Sequence, residues 1–145
     1  MTIATTHSRP TALYIAGILA VFGAYSLALG AFMMLAPGVF FDSLGSFGTR
    51  NDHFIFDAAS FELPLGVLLL TAVTRTSWRT PALAFATLHW ALHTVGHALD
   101  LDHGTGRAAG FAEFAGLALG TVWLAAACWL STQTTTQRPP ESNES

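Results

Sequence analysis

The segment TALYIAGILAVFGAYSLALGAFMMLA, Thr11 to Ala36, contains no charged residue. About 18 uncharged, mainly apolar residues suffice for a membrane-crossing helix. At about 1.5 Å per residue this one measures about 39 Å, enough to cross a bilayer with tilt. A soluble helix of that length would need a polar face, and this segment offers none.

The rest of the chain agrees. Of 145 residues, 52% are hydrophobic and only 10% are charged, against about 25% charged in an average soluble domain. The composition predicts an all-α integral membrane protein, a four-helix bundle with the lipid bilayer as its principal partner. The six basic residues are all arginine and form no cluster, so no nucleic-acid partner is expected. Cys128 is the only cysteine; it can form no disulfide within the chain and reads as a small apolar helix residue.

Spans are predicted at about 11–36, 54–74, 82–100 and 108–130, after a polar tail at 1–10 and before a disordered tail at 131–145 rich in Thr, Gln, Pro and Glu. The leading run is too long for a signal-peptide core and reads as an uncleaved first span. Its Ala16, Ala20, Ala24 and Ala28 make a small-residue stripe suited to close helix approach. Pro37-Gly38 ends that helix. Phe40, Phe41, Leu44 and Phe47 then fall on one helical face, which predicts a short interfacial or capping helix at 38–48, or else an apolar turn broken by Gly45 and Gly48. Asp100-Leu101-Asp102-His103-Gly104 closes the third span, and Gly116-x-x-x-Gly120 in the fourth matches a helix-packing motif.

Four spans put both termini on one side. Arg9, Arg75, Arg79 and Arg138 lie on that side, against Arg50 and Arg107 on the other, which predicts a cell-membrane protein with cytoplasmic termini. The connecting loops are too short to hold a soluble catalytic domain, so any function belongs to the bundle, its rims or a partner. No phosphate loop, nucleophile elbow or dinucleotide fingerprint is present.

Ionisable residues inside the predicted spans therefore mark the candidate site. A charge in hydrocarbon costs about 2.5–3.5 kcal/mol even on the lenient insertion scale, so such groups turn inward and pair. His89, His93 and His97 recur every four residues on one helix face. Counted from the outer helix ends, Asp57 and His97 lie about 5 Å deep, and Glu62, His93 and Glu113 about 8–12 Å. His89 lies deeper, has no evident partner and reads as structural. An outer-leaflet pocket built from Asp57, Glu62, His93, His97 and Glu113 follows, with Asn51 and His53 at its mouth. It could hold a small ligand, or a metal on His93, His97, Glu62 and Glu113. The competing reading is an accessory or scaffolding protein, acting through a membrane partner or as a homo-oligomer, whose polar layer only locks the helices.

The segments Asn51-Asp52-His53, Asp57-Ala58-Ala59 and Leu65-Gly66-Val67-Leu68-Leu69-Leu70 precede a basic turn and a histidine helix ending in Leu99-Asp100. With these features the chain resembles a group of small four-helix bacterial membrane proteins of unknown function, and more loosely the DoxX-like membrane proteins. The resemblance runs from Gly38 to Asp102, with Asp52 where glutamate is expected and no proline before His89. It implies four spans and a link to quinone or redox systems, and supplies no catalytic residues.

Overall fold

The structure, a computed structural model, describes residues 9–46, 48–101 and 107–135, and these contain helices and no strands. Helix α1 is Arg9–Leu35, α2 Pro37–Ser43, α3 Asp52–Thr74, α4 Arg79–Leu99 and α5 Arg107–Thr135, with a single 3-10 turn at Thr76–Trp78. Helices α1, α3 and α5 are long and apolar enough to cross a membrane. Helix α4 is not among them, because three histidines and Arg79 interrupt its apolar residues.

Successive long helices run antiparallel. Pro37 opens α2, whose residues Phe40 and Phe41 pack beside Met33, Ile55 and Ala59. The expected helix at 38–48 is thus real but ends at Ser43, where Ser43 Oγ turns back to donate to the Val39 carbonyl. Gly48 follows at φ +69°, the left-handed region that glycine enters without strain. The Asn51 side chain then accepts the Phe54 N–H at 3.3 Å and starts α3 two residues before its predicted beginning. Arg50 forks onto Asp52 at 2.6 and 2.8 Å and lies against Gly38, tying the start of α3 to α2. That hydrogen bond to Asp52 holds the guanidinium above its usual pKa. At the far end Arg79 donates to the Ala72 and Val73 carbonyls, satisfying the end of α3.

The α1–α3 contact is the closest in the molecule and runs through glycine. A methyl group on Gly66 would lie 2.8 Å from the Leu27 backbone nitrogen and 2.9 Å from the Gly23 carbonyl oxygen. On Gly23 or Gly30 it would meet the backbone nitrogen of Leu70 or Leu63, each at 3.1 Å. The packed face of α1 is therefore Ile15, Leu19, Phe22, Gly23, Ser26 and Gly30. Of the four alanines of the expected stripe, Ala24 and Ala28 are exposed and Ala16 and Ala20 half-buried, and the close approach runs through the glycines instead. Of the Gly116/Gly120 pair only Gly120 is a packing site, making room for the Trp90 ring.

Helices α4 and α5 form the second close pair, joined by hydroxyl contacts between Thr80 and Ser131 at 2.7 Å and Thr94 and Thr121 at 3.1 Å. The two pairs meet at one end of the bundle around Ile15, Leu19, Leu65, Leu69, Leu83 and Leu124, all essentially buried. This closed end carries the start of α1 and the end of α5. Toward the other end the pairs diverge. Helix α5 continues to Thr135, so residues 131–135 are helical rather than part of a disordered tail; a buried Ser131 bonded to Thr80 anchors that last turn. Phe47, Asp102, His103, Gly104, Arg138 and the tails at 1–8 and 136–145 lie outside the described residues.

The surface is inverted relative to a water-soluble bundle. On α4, Leu88, Leu92, Val95 and Leu99 face outward, while His89 and His97 turn toward Glu62 of α3 and Glu113 of α5. Because lipid is as apolar as leucine, such a bundle is held by close packing and polar contacts rather than by hydrophobic burial. Gly66→Ala should accordingly lower the thermal stability of detergent-purified protein by about 1–3 kcal/mol through overpacking. Gly17→Ala, with nothing within 4 Å of the new methyl, should stay within about 1 kcal/mol of wild type or above it; thermal unfolding in one detergent compares the two.

Candidate functional site

Where the helix pairs diverge they enclose a cavity of about 790 Å³. All five helices contribute to its wall, α2 covering part of its mouth. Six aromatic side chains line it: Tyr25, Phe40, Phe41, Phe54, Phe61 and Trp90. Trp90 belongs to both the closed core and the cavity wall and forms the floor between them. Its ring meets Phe22 edge-on at 4.7 Å and Tyr25 at 5.7 Å, within the range of favourable aromatic pairing.

Beside that floor, Glu62 of α3 and His89 of α4 form a buried pair, Oε1 to Nε2 at 3.1 Å, with side chains only 9% and 20% exposed. Glu62 Oε2 is sealed from solvent and has no hydrogen-bond partner. A buried carboxylate oxygen left unpaired is costly and calls for a proton, an ion or a ligand nearby. The Phe61 ring lies tilted against the His89 ring, 4.6 Å between centroids. From His89 the imidazoles continue toward the open end, His89 to His93 at 5.8 Å and His93 to His97 at 4.9 Å. There His97 Nδ1 lies 3.4 Å from Glu113 Oε2 of α5.

Of the predicted site residues, the structure brings Glu62, His93, His97 and Glu113 to the cavity wall, with Asn51 near its mouth. The Asn51 side-chain oxygen is occupied as the α3 cap. His53 and Asp57 do not reach the cavity. They face outward, 87% and 66% exposed, and pair with each other at 3.7 Å one turn apart. The physical reason is angular: Asp57 and Glu62 are five residues apart, about 140° around the helix, so when Glu62 turns inward Asp57 cannot follow.

His89 is also corrected, from a partnerless structural residue to the partner of Glu62. With α3 beginning at Asp52 and α4 ending at Leu99, Glu62 and His89 are each ten residues from the open end, about 15 Å deep. Placing those helix ends at residues 54 and 100 put the two groups at different depths. Tyr25 and Trp90 were missed altogether. Tyr25 lies in a uniformly apolar helix with no pattern to single it out, and Trp90 could be found only by matching it to the gap at Gly120.

Of the four candidate metal ligands, Glu113 pairs with His97, whereas Glu62 pairs with His89, which is outside that set, and His93 stands between the two pairs. Among the described residues no group of three or more His, Cys, Asp or Glu side chains is placed to hold a metal ion. Chemically the wall offers two carboxylates, three imidazoles and an aromatic surround. No protein-family model, curated protein or solved structure matches the chain, and the DoxX-like resemblance carries no weight in assigning a function.

Removing one member of the buried pair strands the other. His89→Leu should destabilise the protein by about 1–3 kcal/mol, and the double variant Glu62→Leu/His89→Leu should be more stable than that single variant. Denaturant unfolding in detergent measures the difference, and a double variant that merely sums two losses would show that the pair is not coupled.

Proposed function

We propose that this chain is a multi-pass membrane protein in which α1, α3, α4 and α5 all cross the bilayer, and that its cavity binds a small amphiphilic molecule with a polar head seated at Glu62 and His89. The observation that carries the ligand reading is the buried carboxylate with one oxygen unpartnered, in the wall of a cavity large enough for a drug-sized molecule. A polar layer serving only to lock helices would close on itself, as Thr94 and Thr121 do; this one opens onto empty volume.

The membrane placement of α4 is supported by its outward Leu88, Leu92, Val95 and Leu99. His89 and His97 are paired with carboxylates of neighbouring helices and mostly covered by them, the condition under which polar residues are tolerated in a span. Arg9, Arg75 and Arg79 belong to the closed end, and Arg50 and Arg107 to the open end, which supports cytoplasmic termini and a cavity facing the outer leaflet. In that position the site is reached from the outer face or laterally from lipid. The tightly packed closed end favours a binding protein over a conduit.

Two measurements test the reading. Native mass spectrometry of gently extracted protein should show a non-covalent adduct of drug-sized mass. Gly116→Trp should abolish it while leaving helicity unchanged, because Gly116 lines the cavity with nothing within 4 Å of an added Cβ. A folded wild type that carries no adduct, and takes up none from added lipid extract, would sink the ligand reading in favour of a scaffold. Tags at both termini should be accessible only from the cytoplasm; either tag found outside would overturn the orientation.

A further inference from the structure

The charge inventory of the cavity narrows what the ligand can be. Glu62 and Glu113 line it, and among its described lining residues there is no lysine or arginine. Its basic lining residues are three histidines, and an imidazole, unlike a guanidinium, is not a fixed cation. The six aromatic rings present electron-rich faces, which attract cations and do nothing comparable for anions. The Glu62 carboxylate is buried with one oxygen unpartnered. In a low-dielectric wall its charge acts over a longer range than it would in water.

From these three observations we infer that the cavity takes a lipophilic cation: a quaternary ammonium, a phosphonium or a protonated hydrophobic amine. The positive head sits among Tyr25, Phe61 and Trp90 within the field of Glu62, and the apolar body extends toward α2. The inference rests on the ligand-binding reading above and sharpens it. A neutral headgroup with no donor would leave Glu62 Oε2 unpartnered. An anion would meet two carboxylates and no fixed positive charge. A cation both neutralises the site and uses the aromatic wall, the combination by which quaternary ammonium groups are generally recognised.

Tetraphenylphosphonium and tetraphenylborate share size and shape and differ in the sign of their charge, so the pair isolates the electrostatic claim. Equilibrium dialysis against the full chain in non-ionic detergent, corrected with empty micelles, reads both. Wild type should bind the phosphonium about tenfold or more tighter than the borate. Glu62→Gln should reduce phosphonium binding by about tenfold or more, and Asp57→Asn, on the outer face, should leave it unchanged. The comparison between the two ions uses wild-type protein alone, so it stands even where Glu62→Gln fails to fold.

Equal or tighter binding of the borate overturns the cation assignment, as does undiminished phosphonium binding by folded Glu62→Gln. If neither ion binds, but the native protein carries an adduct lost in Gly116→Trp, the cation class falls and the ligand site stands. If neither ion binds and no adduct is found, the ligand site itself falls.

Discussion

The approach of α1 to α3 governs where this molecule has volume to spare. Gly23, Gly30 and Gly66 bring the two backbones into near contact, so the space between these helices is used up along the shared length. Helices α4 and α5 form their own pair through hydroxyl contacts and through the Trp90 ring set against Gly120. Two rigid pairs can stay tightly packed against each other along their whole length only if their axes match. Here they meet at one end through leucine and alanine and diverge at the other, where bulky aromatic side chains stand around a gap. The cavity is thus a consequence of pairing geometry rather than of a missing side chain, and the polar groups of α3, α4 and α5 fall inside it.

How far the sequence could lead depended on which forces were local. The uncharged run of α1, the stop at Pro37 and the histidine spacing on α4 are properties of short stretches, and helix geometry turns them directly into elements and faces. The shared site of Glu62, His93, His97 and Glu113 followed from counting residues inward from helix ends. That counting was only as good as the ends. Two residues of extra helix, added by the Asn51 cap, decide whether Glu62 is level with His89. Asp57 matches the site in depth but stands about 140° around α3 from Glu62, and it faces outward. The small-residue stripe failed for a different reason: Ala24 and Gly23 are adjacent and equally small, and only the partner's shape shows which one is pressed against a neighbouring backbone.

The polar residues are sorted by their surroundings rather than by type. His53 and Asp57 pair at the exposed start of α3, where water screens them and the pair is worth little. Glu62 and His89 make a similar pair in burial, where losing either partner leaves a group that nothing else satisfies. Arg50 and Arg79 are spent on structure, one fixing α2 to α3 and the other closing the end of α3. Among the described residues no lysine or arginine lines the cavity, and its character is set by carboxylates, imidazoles and aromatic side chains.

In the proposed four-span topology, the short turn Arg75–Trp78 that joins α3 to α4 bears on how the chain would enter a bilayer. Helix α4 is the least apolar of the long helices and is poorly suited to partition into lipid alone. Joined so closely to α3, it can enter as one arm of a hairpin, with His89 already facing Glu62 across the fold and neither group presented bare to hydrocarbon. His97 and Glu113 have no such arrangement, since Glu113 arrives only with α5. The inner of the two polar contacts can thus form during insertion, and the outer one must wait for the last helix.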